Sequence, residues 1–462
     1  MVNNNRRTAI EELSANILNT HFKNFDEAVV ENAKRQVIDV LGCAIGGAKA
    51  VGNAELIKLV KGWGGKKEAT ILVWGGEVPA QNAAMVNSIM ARSFDFEPVN
   101  TLVDDQDLPN HISGTTVMTA VNMGEMQGVN GKEVITALVV GDDMASRVLA
   151  ASGFDFGRGW DNTGTINMFG ATAIAGRLLG LTELQMRNAF GLVLNQLAGS
   201  FQSIWDATSA FKLPQGLAAR NGIFSAQLAK AGWTGPEDAL LGKFGYYRLY
   251  TGGCINQKIL TKDLGQKYYT HATFKPYPSC RGSHSAIDCA LAIANKHNIK
   301  IEDIDNVILY VPRKDIDNFL GQPFRIGGFP HASAAFNFQY IVANALQRRS
   351  FKPEHFSEYA ILELKETGLI TQIQLAELRE SGLNAKIEIK LRNGERFCET
   401  NDTPKGEPLT KPLSMDDIKT KFIANIDFSQ TVTRANAEKA LKLLENLEEL
   451  DSLNPIIELL IG

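Results

Sequence analysis

The spacing of apolar residues constrains the fold of this chain more than any other feature of its sequence. From residue 8 to about residue 253, apolar side chains recur with the 3.6-residue period of amphipathic helices. Asp26 is placed to cap one such helix, and Gly46 and Gly47 are placed to end it. Capping boxes predict further helix starts at Thr182 with Gln185, at Thr234 with Glu237, and at Ser414 with Asp417.

The pattern changes after about Lys262. Residues 306–311 have the composition of a buried strand, and residues 385–400 alternate apolar and charged side chains around the turn signal Asn393-Gly394. Helices are expected between these strands, at residues 333–347 and 373–380. From Ser414 the helical period returns and continues to residue 460.

These patterns predict a mainly α fold in which a large all-helical domain carries an inserted, smaller α+β domain. We place the helical domain at residues 1–262 plus 414–462 and the α+β domain at residues 263–413. The C-terminal helices are assigned to the helical domain because a separate unit of about fifty residues would bury too little surface.

The composition excludes several classes of protein. The chain has 462 residues, of which 44% are hydrophobic, and its net charge of −4 argues against a general nucleic-acid binder. Five dispersed cysteines without a CxxC pair fit a reducing compartment, and no apolar run approaches the roughly 18 residues of a membrane span. Because the N-terminus also lacks an apolar signal core, we expect a cytoplasmic protein that binds neither nucleic acid nor membranes.

Motifs for nucleotide, metal and serine-hydrolase chemistry are absent from the sequence. It contains no GxxxxGK[ST] P-loop, no HExxH zinc helix and no GxSxG elbow. None of the seven histidines is spaced i, i+4 from another. We therefore expect a protein that uses no metal and no cofactor.

Residues 274–284, FKPYPSCRGSH, form the stretch with the most reactive side chains. Two prolines make it a rigid loop, which an apolar helix follows at once. It presents Lys275, Cys280, Arg281 and His284. A stiff loop with two permanent cations and an imidazole at a helix start suits an anionic small molecule.

Other polar residues occur where a helical core is expected. Asp95 lies between two phenylalanines, so its carboxylate needs a partner or a raised pKa. His111 directly precedes a helix, where the pKa of an imidazole would be depressed. Asp161 and Lys212 lie in polar turns that also introduce helices. Helix N-termini that converged on one point would form an anion pocket.

Seven segments in a specific order make the chain similar to the MmgE/PrpD family over nearly its whole length. Each segment is weak alone, but their order and spacing together are specific. They are VIDVLGCAIGG, AQNAAMVNSIMARSFDFE, the H-x-S-G segment at His111, FGATAIAGRLLGL, GLAARNGIFSAQLA, KPYPSCRGSH and FQYIVANAL.

This resemblance implies a large all-helical domain closed by the C-terminal helices, a smaller α+β lid, a homodimer and no metal. The family includes 2-methylcitrate dehydratase, cis-aconitate decarboxylase and iminodisuccinate epimerase, which share proton transfer at carbon next to a carboxylate. The first expectation is a metal-independent, 2-methylcitrate dehydratase-like hydro-lyase acting on a small di- or tricarboxylate. An iminodisuccinate-type epimerase, a cis-aconitate decarboxylase and an inactive carboxylate-binding paralogue are the alternatives.

The resemblance also carries site residues over. Asp95, His111 and Lys275 match the family's acidic, histidine and lid-lysine positions. We expect His111 to act as general base or acid, and Asp95 to orient it or share the proton transfer. Lys275 and Arg281 should bind substrate carboxylates. His284 should serve as a second acid or as a helix cap.

The chain departs from the decarboxylase-like pattern at three positions. Asp161 and Cys280 stand where such members have histidines, and Phe211 stands where they have a lysine, with Lys212 one place later. We expect Asp161 to bind an amino or hydroxyl group, Lys212 to supply positive charge at the reacting centre, and Cys280 to pack as an inert residue. These departures weigh against cis-aconitate decarboxylation.

Overall fold

The computed structural model describes residues 7–382 and 384–462, and this part of the chain is mainly α-helical. The first region is built from α1 (Ala9–Asn19), α2 (Glu27–Gly46), α3 (Asn53–Trp63), α4 (Ala80–Arg92), α5 (Ile112–Gln127), α6 (Gly131–Ala150), α7 (Ile166–Leu178), α8 (Glu183–Leu194), α9 (Gln202–Trp205) and α10 (Leu213–Lys230). Across the described ranges, every helix is too short or too polar to traverse a lipid bilayer.

Two small sheets accompany these helices. One pairs β1 (Ala69–Thr70) with β2 (Glu77–Val78). The other has the order β4-β3-β5 and consists of β3 (Val99–Val103), β4 (Gln106–Leu108) and β5 (Ala272–Thr273), all antiparallel.

Small residues let the helices of the first region approach closely. α10 packs against both α4 and α7. A Cβ atom on Gly216 of α10 would lie 2.5 Å from Ile89 of α4, and one on Gly222 would lie 2.5 Å from Ala171 of α7. Larger side chains would push these helices apart, so the small residues fix the position of the α10 N-terminus, where Lys212 lies.

Residues 284–401 form the α+β region. Its helices are α11 (His284–His297), α12 (Arg313–Ile316), α13 (Pro330–Ala335), α14 (Phe338–Arg348), α15 (Glu358–Glu366) and α16 (Leu369–Gln372). Its strands are β6 (Ile304–Val311), β7 (Ile373–Glu377), β8 (Ala385–Leu391) and β9 (Arg396–Asn401), in the order β7-β6-β8-β9. Only β6 and β7 pair in parallel. The predicted hairpin joins β8 to β9, with Gly394 at a φ of 91° in its turn.

The C-terminal helices pack on the first region. They are α17 (Met415–Ser429), α18 (Arg434–Glu445) and α19 (Asn454–Leu459), and α17 lies along α2. Lys421 of α17 forms a buried ion pair with Asp39 of α2 at 2.8 Å. One apolar core joins residues from Ile10 to Phe274 with residues from Leu413 to Leu460, and a second core lies within the α+β region. These separate cores support the predicted domain division, which stays a prediction.

Three capping signals predict helix starts correctly. Asp26 accepts a hydrogen bond from the backbone N–H of Val29 at the start of α2. The capping boxes at Thr182 and Ser414 begin α8 and α17. In each case a side-chain oxygen accepts from a backbone N–H that has no partner within the helix.

The helix expected at Thr234 does not form, and residues 231–245 run as turns, bends and loop. A Cβ atom on Gly235 would lie 2.5 Å from the carbonyl oxygen of Asn188, so this loop is pressed directly against α8. The side chain of Asp238 accepts from two backbone N–H groups and closes a turn there instead. Close packing against α8 overrides the local capping signal.

Two expected helices of the α+β region also differ. Residues 373–380 were expected to be helical, but Ile373–Glu377 forms β7 because it pairs with the open edge of β6 and buries Ile373. The single helix expected over residues 333–347 is divided into α13 and α14. Asn337 caps α14 by accepting from the N–H of Tyr340.

Candidate active site

The sheet β4-β3-β5 brings three polar segments to one place. β3 begins two residues after Glu97, β4 ends three residues before His111, and β5 ends two residues before Lys275. In the antiparallel pairing of β3 with β5, Val99 lies opposite Thr273. Because antiparallel neighbours run in opposite directions, the start of β3 and the ends of β4 and β5 lie at the same end of the sheet.

Asp95 lies in the turn that follows α4. Its φ of 50° is in the left-handed region, which non-glycine residues adopt rarely. The Arg92 guanidinium donates a hydrogen bond to the Asp95 carboxylate, and the same guanidinium nitrogen lies 3.3 Å from Oε1 of Glu97. All three side chains are buried. Backbone conformations of this kind recur at functional sites.

His111 is the N-cap residue of α5. Its Nδ1 lies 2.9 Å from Oε1 of Glu97, and its Nε2 lies 3.9 Å from Oδ1 of Asp95. Asn167 of α7 donates to the His111 carbonyl at 2.7 Å and holds the start of α5 in place. When Nδ1–H donates to Glu97, Nε2 is the unprotonated nitrogen of the neutral ring. The ring is 21% exposed, so a ligand can reach it.

Lys275 enters the same network from the 274–284 segment. Its Nζ lies 3.1 Å from Oδ1 of Asp95 and donates to the Ser279 carbonyl at 3.3 Å. Its side chain is fully buried. The structure thus joins five residues into one network, which we call the charged cluster: Arg92, Asp95, Glu97, His111 and Lys275.

Pairing sets the protonation states within the charged cluster. Burial acts to raise the pKa of Asp95, but the positive charges of Lys275 and Arg92 outweigh it and hold that pKa well below its usual range. The pKa of Glu97 is also lowered, against burial, chiefly by Arg92 and His111. Burial and the charge of Arg92 lower the pKa of His111, so its ring is neutral at pH 7. Of the two alternatives expected for Asp95, a partner or a raised pKa, the structure shows the partner, because two cations lie against its carboxylate.

Arg92 and Lys275 disfavour the binding of a metal ion at the charged cluster. Asp95, Glu97 and His111 place one possible ligand atom each within 4.8 Å of one another. Arg92 contacts both carboxylates, and Lys275 contacts Asp95. A divalent ion at this point would meet the repulsion of both cations. The donor set therefore fits carboxylates paired with cations better than it fits metal ligands.

Lys212 lies at the N-terminus of α10. Its Nζ donates to the Val51 carbonyl at 2.9 Å and to Oδ1 of Asn53 at 3.0 Å. It also lies 5.7 Å from the centroid of the Phe329 ring. Burial lowers the pKa of Lys212 to about 8, since neutral acceptors do not compensate for the lost hydration.

Asp161 and Phe211 lie close to Arg92. The guanidinium carbon of Arg92 is 5.3 Å from the centroid of the buried Phe211 ring. Burial acts to lower the pKa of Arg92, and the charges of three acids, Asp161 among them, raise it above its usual value. The Asp161 carboxylate is buried and accepts from the backbone N–H of Thr163 at 2.9 Å.

Arg281 is engaged within the α+β side of the molecule. It donates to the Lys405 carbonyl at 2.7 Å and lies 3.4 Å from the Glu407 carboxylate. The same guanidinium lies 3.2 Å from Nδ1 of His284. Arg281 would have to exchange one of these partners to bind a substrate carboxylate.

His284 is buried in the protein, and Cys280 is half-buried. His284 is the first residue of α11 and is fully buried, with Nε2 3.3 Å from the Ser279 carbonyl. Burial lowers the pKa of His284 well below its usual value. Burial raises the pKa of the Cys280 thiol to about 12, so this thiol is protonated at pH 7.

Comparison with known protein families identifies the family of this chain. Residues 11–257 match the MmgE/PrpD N-terminal domain, and residues 277–449 match the MmgE/PrpD C-terminal domain. The chain belongs to the MmgE/PrpD family. The resemblance inferred from the sequence segments is confirmed. The second match also includes α17 and α18, which pack on the helical region.

Relatives of this family member cover nearly its full length. Cis-aconitate decarboxylase of Aspergillus terreus is 23% identical over 463 residues, covering 94% of this chain and 91% of that protein. A second sequence of that name, from Aspergillus terreus strain NIH 2624, is 23% identical over 465 residues with the same coverage. Cis-aconitate decarboxylase-like protein oryM of Aspergillus oryzae is 22% identical over 424 residues, covering 85% of each chain. These relatives support lyase-type chemistry.

Sequence reasoning missed two members of this site in the MmgE/PrpD protein, Arg92 and Glu97. Both lie within three residues of Asp95, in the segment MARSFDFE. The available signal was a group of three charged residues between small and aromatic side chains that were expected to be buried. Buried charges occur in compensating sets, so one acid in such a segment predicts a nearby cation.

His331 of α13 was also missed. Its ring stacks on Phe94 at 4.8 Å between centroids and on Phe329 and Phe356 at 5.6 Å each. Within the described residues its buried Nε2 has no hydrogen-bond partner. Burial lowers the pKa of His331 to about 3, so the ring is neutral. No local sequence pattern distinguishes it from an ordinary core histidine.

Proposed function

We propose that this protein is a metal-independent lyase that transfers a proton at the carbon next to a substrate carboxylate. The first candidate is a 2-methylcitrate dehydratase-like hydro-lyase acting on a small di- or tricarboxylate. The observation that supports it is the position of His111, whose Nδ1 is oriented by Glu97, whose Nε2 lies 3.9 Å from Asp95, and whose ring is 21% exposed. A neutral, oriented and reachable imidazole is suited to act as a general base.

The charged cluster can support the first stage of such a reaction. Nε2 of His111 takes the proton, the C–H electron pair moves toward the substrate carboxylate, and Asp95 and Glu97 stabilise the imidazolium that forms. Lys275 and Arg92 supply positive charge near the developing enolate. In a dehydration, the hydroxyl group then leaves as water after it receives a proton.

Lys212 is the proposed acid for that second step. Its pKa of about 8 lies near a neutral working pH, which favours proton donation. His284 is less suited to this role, because its ring is enclosed between Arg281 and Ser279. Lys212 in its charged form, Lys275, and Arg281 after exchange of its Glu407 contact are proposed to bind carboxylates. Asp161 and Cys280 are proposed to line the site.

Decarboxylation of cis-aconitate is the second candidate, because relatives along nearly the whole chain bear that name. The residues at Asp161, Phe211 and Cys280 argue against it, since these positions lack the cationic or imidazole groups that the resemblance implied. An iminodisuccinate-type epimerase would use the same base and return the proton to the opposite face. An inactive paralogue would bind carboxylates without exchange.

Incubation with a panel of hydroxy- and amino-polycarboxylates in deuterated buffer, with excess chelator present, separates these candidates. A hydro-lyase gives an unsaturated product, a decarboxylase releases carbon dioxide, and an epimerase places deuterium in recovered substrate without forming a double bond. A ligand that binds without any exchange indicates the inactive paralogue. Loss of activity on chelation, with recovery by one divalent ion, would refute the metal-independent mechanism. His111→Ala is the control for background exchange.

A further inference from the structure

A third group of buried apolar residues lies apart from the two large cores. Ile204 and Phe211 come from the helical region, and Phe329, Ala332 and Phe336 come from α13 and its flanks. We call these five residues the apolar cluster. Cys280 and Phe319 pack against it. It therefore joins the helical and α+β sides at the level of the candidate active site.

The apolar cluster is in contact with the proposed catalytic charges. The Phe211 ring lies 5.3 Å from the Arg92 guanidinium carbon, and the Phe329 ring lies 5.7 Å from Nζ of Lys212. Phe211 and Phe336 meet edge to face at 5.3 Å between centroids. A ligand held by Lys212 would thus have an aromatic wall directly beside its carboxylate.

A cavity of about 390 Å³ adjoins this wall. Ile204, Ala332 and Phe336 of the apolar cluster line it together with Phe319 and with Trp205, which is 47% exposed. Its polar lining consists of the exposed residues Asp206, Gln322 and Arg325 and the buried residues Ser333 and Asn337. This volume is in the usual range for small-molecule sites. The space is larger than a methyl group needs.

Most of the cations placed near the charged cluster are already paired with protein carboxylates, so they are poorly placed to bind several substrate carboxylates. Arg92 and Lys275 are paired with Asp95, and Arg281 is paired with Glu407. Lys212 makes its hydrogen bonds to the neutral Val51 carbonyl and Asn53 amide, and no described acid pairs with it. Of these four cations, it is therefore the one best placed to gain from a ligand carboxylate.

Two departures from the family pattern change the site in the same direction. Phe211 belongs to the apolar cluster and Cys280 packs against it. Both stand where the resemblance implied a side chain that can bear positive charge. Each departure removes a contact for a carboxylate and adds one for hydrocarbon.

We propose that the substrate carries an apolar side group of several carbon atoms beside the carboxylate that Lys212 binds. The apolar cluster and its cavity hold that side group. This inference rests on the proposed function, because it describes the ligand of the same site. It narrows the substrate class from small polycarboxylates in general to alkyl- or aryl-substituted carboxylates.

Calorimetric titration of the full chain with succinate, methylsuccinate, butylsuccinate, phenylsuccinate and tricarballylate tests this proposal. Each added CH₂ group should lower the Kd up to about fourfold, the value for transfer of one CH₂ out of water. Tricarballylate should bind no more tightly than succinate. A Kd that is independent of side-chain length, or that is lowest for tricarballylate, would overturn the inference and leave the proposed function intact. Absence of binding by every carboxylate would count against both.

A pair of variants locates the effect. Phe319→Asn should reduce the ratio of the succinate Kd to the butylsuccinate Kd, because Phe319 lines the cavity. Phe397→Asn makes the same change at a partly buried phenylalanine of β9, next to His297 and outside the site, and should preserve that ratio. Equal ratios in the two variants would place the apolar contact elsewhere and refute the assignment. Thermal unfolding of both proteins verifies that they are folded.

Discussion

The charged cluster and the apolar cluster lie side by side, and titratable groups are buried at both. The charged cluster favours the charged form of its buried carboxylate Asp95, whereas the surroundings of the apolar cluster disfavour the charged forms of Lys212 and His331. In the charged cluster, Asp95 is buried and still has a lowered pKa, because Arg92 and Lys275 lie against it. Beside the apolar cluster, burial lowers the pKa of Lys212 to about 8 and that of His331 to about 3. Burial is similar on the two sides, so the presence of a charged partner explains the difference.

This comparison divides the candidate active site into an ionic wall, which is the charged cluster, and a neutral wall, which is the apolar cluster with the adjoining Lys212, Cys280 and His331. The ionic wall holds fixed charges and one oriented imidazole, which is what proton transfer next to a carboxylate requires. The neutral wall holds groups whose charged forms are disfavoured, so it suits the uncharged part of a ligand. Substitutions on the ionic wall should therefore have large effects on stability and turnover, and those on the neutral wall should have smaller or pH-limited effects.

Lys275→Met should have the largest effect on stability. Removing one partner from a buried ion pair leaves an uncompensated charge and should lower the free energy of unfolding by about 3 kcal/mol. Urea unfolding at pH 7, followed by circular dichroism, measures the change. Lys262→Met is the matched control, because Lys262 pairs with Asp104 on the exposed surface and its loss should be nearly neutral. Equal losses in the two variants would show that pairing on the ionic wall is not special.

His111→Ala should have the largest effect on turnover among variants that remain folded. Loss of a catalytic proton-transfer group costs about 100-fold or more in rate. Deuterium exchange into whichever panel carboxylate reacts gives the measurement. His297→Ala should retain full exchange, because His297 is exposed on α11 and packs on Phe397. Near-normal exchange by His111→Ala would remove the base from the ionic wall.

Local signals predicted most of the fold and part of the ionic wall. Helix caps and strand alternation are written in neighbouring residues, so α2, α8, α17 and the β8–β9 hairpin follow from the sequence. Asp95, His111 and Lys275 were identified because each is a polar residue in an apolar context or matches the family pattern. The sequence also suggested that they belong to one site.

The rest depends on contacts between distant segments. The convergence of Glu97, His111 and Lys275 requires the pairing of β3, β4 and β5, which are too short to give a strand pattern. The sign of the Asp95 pKa shift requires Arg92 and Lys275 to lie against it. The neutral wall is assembled from residues 204–211 and 329–336, and no local pattern links these segments. β7 is similar, because it forms only when β6 offers an open edge.

His331→Phe should change the pH dependence of stability. The folded pKa of about 3 lies below the unfolded value of about 6.5, so the unfolded state binds an extra proton between these limits. Stability from the neutral ring is complete above pH 6.5 and falls by about 1.4 kcal/mol per pH unit below it. Phenylalanine keeps the aromatic contacts and removes this slope. Urea unfolding at pH 7, 6 and 5 tests the difference, and parallel curves for the two proteins would contradict it.

Cys280→Ser should have the smallest effect of the four substitutions. The pKa of about 12 keeps the thiol protonated at pH 7, and proton transfer next to a carboxylate requires no covalent step at sulfur. Turnover should therefore stay within about twofold, whereas loss of a true proton-transfer group costs about 100-fold or more. Iodoacetamide should label Cys398, which is exposed, well before Cys280. Abolished turnover together with fast labelling of Cys280 would mean that the neutral wall supplies a nucleophile. The division of the candidate active site into ionic and neutral walls would then fail.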